Sequence, residues 1–251
     1  MLLDTGLKKT SQIGILNEHS LHADLKRWLQ QPDDLFEVPL GRYVVDILRG
    51  EQVLEVQTSQ LKRLQTKLID LTTNRAVTVV YPLLGKCWLY RPTLLHKPQR
   101  RLSPKHENWL SLFTELVYCP NLLNLPNLTV QLVLVEAEQH LTRNPERGWR
   151  KKAWLVQDTR LVTVLETRCL CCATDWWQFL PNTLPESFSS VHLAANLNCS
   201  TPLAGKILYT FWRAGWLERQ GKAQRAWLYR RVARVDTQAS YPAKSLSAAQ
   251  I

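Results

Sequence analysis

RYVVDILRGEQVLEVQT, residues 42–58, is the stretch that decides the fold. Two β-rich runs, 43–48 and 53–58, flank Arg49-Gly50-Glu51-Gln52, and glycine at the first central position suits the positive φ of a type II′ turn. With Gly50 and Glu51 central, the numbers of opposed residues sum to 101, which sets Asp46 directly across from Glu55. Opposed Cβ atoms in an antiparallel pair lie about 4.5–5.5 Å apart, and Gln57 follows two positions along on the same face. Two bare carboxylates at that spacing repel. Their neighbours on that face, Val44, Leu48 and Val53, are apolar, so this is not simply a wetted polar surface, and a divalent cation between the carboxylates explains the arrangement. The competing reading is a half-exposed hairpin whose acids meet Arg42, Arg49 or Lys62.

Working outward, residues 17–30 carry Leu21, Leu25 and Trp28 at helical spacing, with Asp24 and Arg27 facing away. Glu18 sits at the edge of that stripe, His22 one turn on and Lys26 one turn further. A short strand at 35–38 and a turn at 39–41 lead into the hairpin. Beyond it, Leu61, Leu64, Leu68 and Leu71 mark an amphipathic helix, and 77–81 is an unbroken β-branched run closed by Pro82. Strand, helix and buried strand form a βαβ unit, so 77–81 is expected to lie parallel to 53–58. Further on, 106–118 is expected as a helix, and 128–138 and 153–169 as strands joined by a polar connection at 142–152. Pro181-Asn182-Thr183-Leu184-Pro185 is the best linker candidate, dividing the chain at 1–181 and 182–251.

A helix acid, a hairpin with Asp-x8-Glu-x-Gln, a helix carrying Lys62 and Lys67, and a buried strand together resemble the PD-(D/E)xK nuclease superfamily, the restriction-endonuclease-like fold. The resemblance covers roughly the first 90 residues and implies an α/β fold with an αβββαβ core. It implies a catalytic set of Glu18, Asp46, Glu55, Gln57 and Lys67, with Asp46, Glu55 and Glu18 as ligands of Mg²⁺, Mn²⁺ being the alternative. Gln57 departs from the usual lysine, as in a minority of the superfamily's restriction enzymes. In other members the lysine has moved to the next helix, where Lys67 and then Lys62 stand in this chain. The implied chemistry is metal-assisted phosphodiester hydrolysis. An amide at Gln57 can orient a water but cannot take its proton, which leaves solvent, the substrate phosphate or Lys67 as base. Residues 18–82 also resemble a group of bacterial proteins with Ser-Leu-His in the first helix and Glu-x-Gln-Thr on the strand.

Past the linker, 188–197 and 201–214 read as helices, with Leu203, Ile207, Leu208 and Phe211 on the buried side of the second. Ser200 or Thr201 caps it and Gly215 ends it. Strands at 216–219 and 226–231 follow around a basic tip. Helix, helix and β-hairpin resemble in outline a winged helix-turn-helix, in which Lys206, Arg213, Lys222 and Arg225 would meet DNA. Trp212, Trp216, Trp227 and Tyr229 are read as core aromatics.

The chain has 251 residues and a net charge of +11, and residues 182–251 hold nine basic side chains against three acidic ones. That excess favours a polyanionic partner, DNA, over a neutral one. A protein-docking role for the basic module and a homodimer are the other partners the sequence leaves open. No apolar run reaches the roughly 18–20 residues that span a bilayer, and MLLDTGLKKT lacks the features of a secretory signal, so a cytoplasmic protein with no membrane partner is expected. Six cysteines are then expected as thiols. Cys169-Leu170-Cys171-Cys172 has no paired zinc-ligand motif, and no Walker loop or dinucleotide fingerprint occurs.

Overall fold

The computed structural model describes residues 20–92, 99–143 and 154–232. Helix α1 (Ser20–Leu29) precedes strands β1 (Leu35–Leu40), β2 (Tyr43–Arg49) and β3 (Gln52–Val56). A 3-10 turn (Leu61–Leu64) runs into α2 (Gln65–Thr72), followed by the long strand β4 (Val77–Arg91) and the short β5 (Gln99–Leu102). The short helix α3 (Phe113–Leu116) leads to β6 (Leu128–Arg143) and β7 (Trp154–Leu170). Helices α4 (Ala173–Trp177), α5 (Ser190–Leu197) and α6 (Thr201–Arg213) and the hairpin β8 (Leu217–Ala223) and β9 (Ala226–Arg231) complete the described chain. It is a mixed α/β protein built on a seven-stranded sheet of order β1-β2-β3-β4-β6-β7, with β5 on β4.

The hairpin register is the one the turn chemistry dictates. Ile47 faces Leu54, Leu48 faces Val53 and Arg49 faces Gln52, and Gly50 alone of the two turn residues takes a positive φ, +57°. β3 and β4 run parallel, with Val53 beside Val77 and Val56 beside Val80, as the intervening helix requires. Each face of the sheet is covered. Leu21, Leu25 and Leu29 of α1 pack on Ile47, Leu54, Val56, Val80 and Val133. On the other face, Val53, Val77, Val79 and Tyr81 meet Leu68, Leu71, Phe113 and Leu116. Burial on both sides is why 77–81 lacks the alternation of a half-exposed strand, with even Thr78 buried.

Several boundaries differ from expectation, each for a physical reason. β4 does not stop at Pro82, which sits beside Val133 inside the parallel β4–β6 ladder. Val80 O accepts from Gln57 N, so the odd-even alternation points the Pro82 nitrogen to the same side, where β3 has already ended and β5 has not begun. No hydrogen bond is lost there. Two residues on, the same side is closed by Glu107, whose backbone N–H donates to Leu84 O and whose carboxylate accepts from Leu84 N at 2.9 Å. The apolar stripe of α1 uses Leu29, not Trp28, which is 42% exposed, and Asp24 faces inward to accept from Leu161 N at 3.0 Å. The expected helix over 106–118 is a 3-10 turn (Trp109–Leu112), capped by Asn108, and the single turn α3.

Apolar packing continues across the 181/182 boundary. Phe211 of α6 stacks on Phe113 at 5.9 Å and on Trp177 at 5.8 Å, and Trp216 lies 5.1 Å from Trp177. Trp216 Nε1 donates to Asn124 Oδ1 at 2.8 Å, and Arg231 donates to the carbonyls of Leu180 and Pro181 at 2.7 Å. Phe188 pairs with Tyr229, adding a bridge to the β8–β9 hairpin. Among the described residues no helix is long and apolar enough to cross a membrane.

Candidate active site

Asp46 and Glu55 lie where β2 and β3 part. The ladder between the two strands is formed from Arg49 and Gln52 to Ile47 and Leu54, and at the next pair the side chains take over from the backbone. Val56 N donates to Asp46 Oδ2 at 2.8 Å, and the Asp46 backbone N–H is directed at the Glu55 carboxyl. Each acid thus covers a backbone donor that the parting strands would otherwise leave bare. Glu55 is 3% exposed. Lys67 reaches it from α2, with Nζ 2.5 Å from Glu55 Oε1 and 2.6 Å from Val44 O.

Asp46 has a different retinue. His22 Nε2 stands 3.3 Å from its Oδ2 and Lys26 Nζ 3.7 Å from its Oδ1. Lys26 also binds Glu37 of β1. Burial alone would raise the Asp46 pKa, but the His22 contact, the Val56 N–H and the charges of His22 and Lys26 outweigh it and hold the carboxyl below its usual range. For Glu55 the balance is reversed. Its burial raises the pKa, the Lys67 contact opposes this, and the charge of Asp46 raises it again, so the net direction is up. Burial and partners thus shift the two acids in opposite directions, Asp46 down and Glu55 up.

Two of the three basic partners named in the competing reading, Arg42 and Arg49, are engaged elsewhere. Arg42 binds Asp70 of α2, and Arg49 binds Asp34 Oδ1 at 2.8 Å and the Leu29 carbonyl at 2.7 Å. Gln57 follows β3, its backbone N–H on Val80 O, and its side-chain amide donates to the Ser59 carbonyl. Lys62 is on the 3-10 turn beside a cavity of about 430 Å³ lined also by Gln60, Arg63, Glu115 and Tyr118. Glu18 lies outside the described residues. The structure thus sets Asp46 and Glu55 at one fork of the sheet, with Lys67 of α2 on Glu55 and His22 and Lys26 of α1 on Asp46, and with Gln57 turned to its own loop. Sequence reasoning placed His22 and Lys26 on the right helix without assigning them to Asp46; their i, i+4 spacing was the available signal.

The four basic residues expected to meet a polyanion lie on α6 and the β8–β9 hairpin. Lys206 and Arg213 are two turns apart on α6, Lys222 is in β8, and Arg225 is in the turn between the strands. Trp216 and Tyr229 are core side chains, at 1% and 6% exposure, but Trp227 is 39% exposed and Trp212 half-buried.

One further cluster is formed by Cys171, Cys172 and Asp175, close enough together to share a metal ion. Asp175 is already committed as a helix cap, accepting from Cys171 N at 2.8 Å and Cys172 N at 3.1 Å, with both thiols within 3.3 Å of the same oxygen. Burial and the Asp175 carboxylate push the Cys171 thiol up to about 12, which opposes the thiolate a metal needs.

A protein of Treponema pallidum (strain Nichols), named only as uncharacterized, is 27% identical over 187 residues, covering 72% of this chain and 73% of its own length. No solved structure matches. A family model described as a domain of unknown function, DUF8091, matches residues 19–171, which takes in α1, the whole seven-stranded sheet and both acids of the site. By that match over more than half of its length, the chain belongs to the DUF8091 family.

Proposed function

We propose that the protein is a metal-dependent DNA endonuclease acting in the cytoplasm, with a restriction-endonuclease-like core and with α5, α6 and the β8–β9 hairpin serving as a winged helix-turn-helix that holds DNA. The observation that carries the reading is the placing of Asp46 and Glu55 at the fork of β2 and β3, with a lysine, Lys67, delivered to Glu55 by the helix that follows. The donor set suits a hard divalent cation. Two carboxylates from adjacent strands offer oxygen ligands, and Glu55 Oε1 is shielded from water with no well-aligned hydrogen bond, only the Lys67 charge beside it. Asp46 and Glu55 would hold Mg²⁺, with Glu18 as a further acid, and the bound ion would supply a water of lowered pKa and polarise the phosphate.

The chain's own residues do the rest. His22 and Lys26 favour the ionised form of Asp46, and a cation bound there would share the carboxylate with them. Lys67 holds a positive charge at Glu55, where it can face the negative charge that develops on a phosphate under attack. Gln57, bound to Ser59 O, takes no proton and adds no charge.

A second reading, a DNA-binding regulator that keeps the fold without turnover, is favoured by one observation: three basic side chains already stand against the two carboxylates. The two readings part in a cleavage assay. Full-length protein incubated with single-stranded, duplex and branched DNA in Mg²⁺ or Mn²⁺ is expected to cut at least one of them, and Asp46→Ala and Glu55→Ala are each expected to abolish cutting with the fold intact. Absence of cleavage on every form would favour the regulator.

A further inference from the structure

We propose that the outer face shared by α6 and the β8–β9 hairpin binds single-stranded nucleic acid, with Trp227 and Trp212 stacking on unpaired bases and Arg213, Arg219 and Lys222 holding the phosphates. The proposal rests on the DNA-binding part of the reading above and names the form of nucleic acid that this face takes.

The observation is a column of alternating charge and indole. Arg219 Cζ lies 3.5 Å from the Trp212 ring centre and 4.4 Å from that of Trp227, between two indoles from different elements. Arg213 adds a cation 5.6 Å from Trp212, and Lys222 Nζ stands 4.7 Å from Trp227. Tyr209 meets the edge of Trp212 at 5.7 Å.

The hairpin is built to make this column. Residues three apart on a regular strand point to opposite faces, yet Arg219 and Lys222 both meet Trp227. A register shift between Arg219 and Gly221, with Gly221 at φ +140°, inserts one residue and turns Lys222 back to the face of Arg219. Arg219 is then opposite Tyr229 and Lys222 opposite Trp227, and Tyr229 and Trp227 are two apart on β9.

Two features point to the ligand. The first is charge: among the described residues, no carboxylate forms an ion pair with Lys206, Arg213, Arg219, Lys222 or Arg225, whereas the neighbouring Arg230 is matched by Glu218 at 2.6 Å. Unmatched cations on one face favour a polyanion. The second is the exposed indole. A site that only counts phosphates has no use for a tryptophan left 39% exposed, and a duplex hides the faces of its bases. Unpaired bases offer those faces, and Arg219 holds both rings in place before any strand arrives.

The test is fluorescence anisotropy on the full-length protein in EDTA at low salt, with labelled oligothymidylate of about 12 nucleotides, within the footprint of a single stacking module, an abasic strand of the same length and charge, and a duplex of that length. EDTA removes cleavage, so a failure of the nuclease reading leaves this outcome readable, and the reverse also holds. The expected result is that oligothymidylate binds about 10-fold or more tighter than the abasic strand. Trp227→Ala is expected to erase most of that difference, and Trp227→Phe to keep part of it. The comparison of wild-type binding to the two strands needs no variant, so a poorly folding substitution does not remove the test. Equal affinity for the abasic and base-bearing strands would overturn the proposal. So would a preference for the duplex, no binding to any of the three, or displacement of the oligonucleotide by polyglutamate at equal charge concentration.

Discussion

Lys67 enters the site from a helix, not from the strand position that Gln57 occupies, and that displacement sets the first prediction. Lys67→Ala is expected to cut turnover by about 10²-fold, the scale for losing one preorganised electrostatic contact, whereas Gln57→Lys is expected to change it little, because the Gln57 amide is spent on Ser59 O. Single-turnover cleavage rates check both. Unchanged turnover in Lys67→Ala would show that its charge does not act on the reacting phosphate. A second prediction concerns acid stability. Arg49 hydrogen bonds hold the Asp34 carboxyl below its usual range against the opposing effect of burial. A depressed folded pKa stabilises above the unfolded value, near 3.9 by the usual reference, and that contribution is lost as pH falls through the lower folded value. Asp34→Asn is therefore expected to lower stability at neutral pH and to flatten the decline below about pH 4, read from urea midpoints across the acid range. The pairing that leads up to Asp46 and Glu55, as far as Ile47 and Leu54, was legible in the sequence because a two-residue turn with glycine fixes register residue by residue. The partners of Asp46 were not, because a one-position error in the phase of α1, Trp28 taken for Leu29, leaves open what the helix faces.

At the scale of elements, the hairpin carries the site, and its turn is the point to perturb. Gly50 at φ +57° has open space around it, so Gly50→Ala costs backbone strain and nothing else, about 1–2 kcal/mol. The variant is expected to unfold at lower urea concentration with an unchanged slope. The order of helix, hairpin, helix and parallel strand was legible from periodicity and turn residues. The length of β4 was not, because proline is a stop signal only where its nitrogen faces a partner strand, and which side of Pro82 lacks one depends on where β3 ends and β5 begins. The same holds for the Arg219 column. A one-residue bulge at Gly221 re-aims Lys222, and nothing in a lone glycine among polar residues says that the shift is there.

For the molecule as a whole, the packing of Phe211 and Trp216 against Phe113 and Trp177 joins the C-terminal part to α3 and α4. Phe211 is fully buried, and Phe211→Ala is expected to destabilise by about 3–5 kcal/mol and to shift a single transition seen both by tryptophan fluorescence and by circular dichroism. Two separated transitions would show that the sheet and the C-terminal helices unfold independently. The separation of a basic C-terminal part from a nearly balanced middle was visible in the charge count. Its apolar contacts with the sheet side were not, because Trp176-Trp177 carries no periodic signal and Pro181 and Pro185 mark a turn as readily as a linker. The account stands on Asp46 and Glu55 holding one divalent cation, and calorimetric titration of the full-length protein with Mn²⁺ tests that most directly. One site is expected in the wild type, weakened at least about 10-fold in Asp46→Ala and in Glu55→Ala, the scale on which even outer-shell changes act at metal sites. Wild-type protein that binds no Mn²⁺, or variants that bind it as the wild type does, would contradict it.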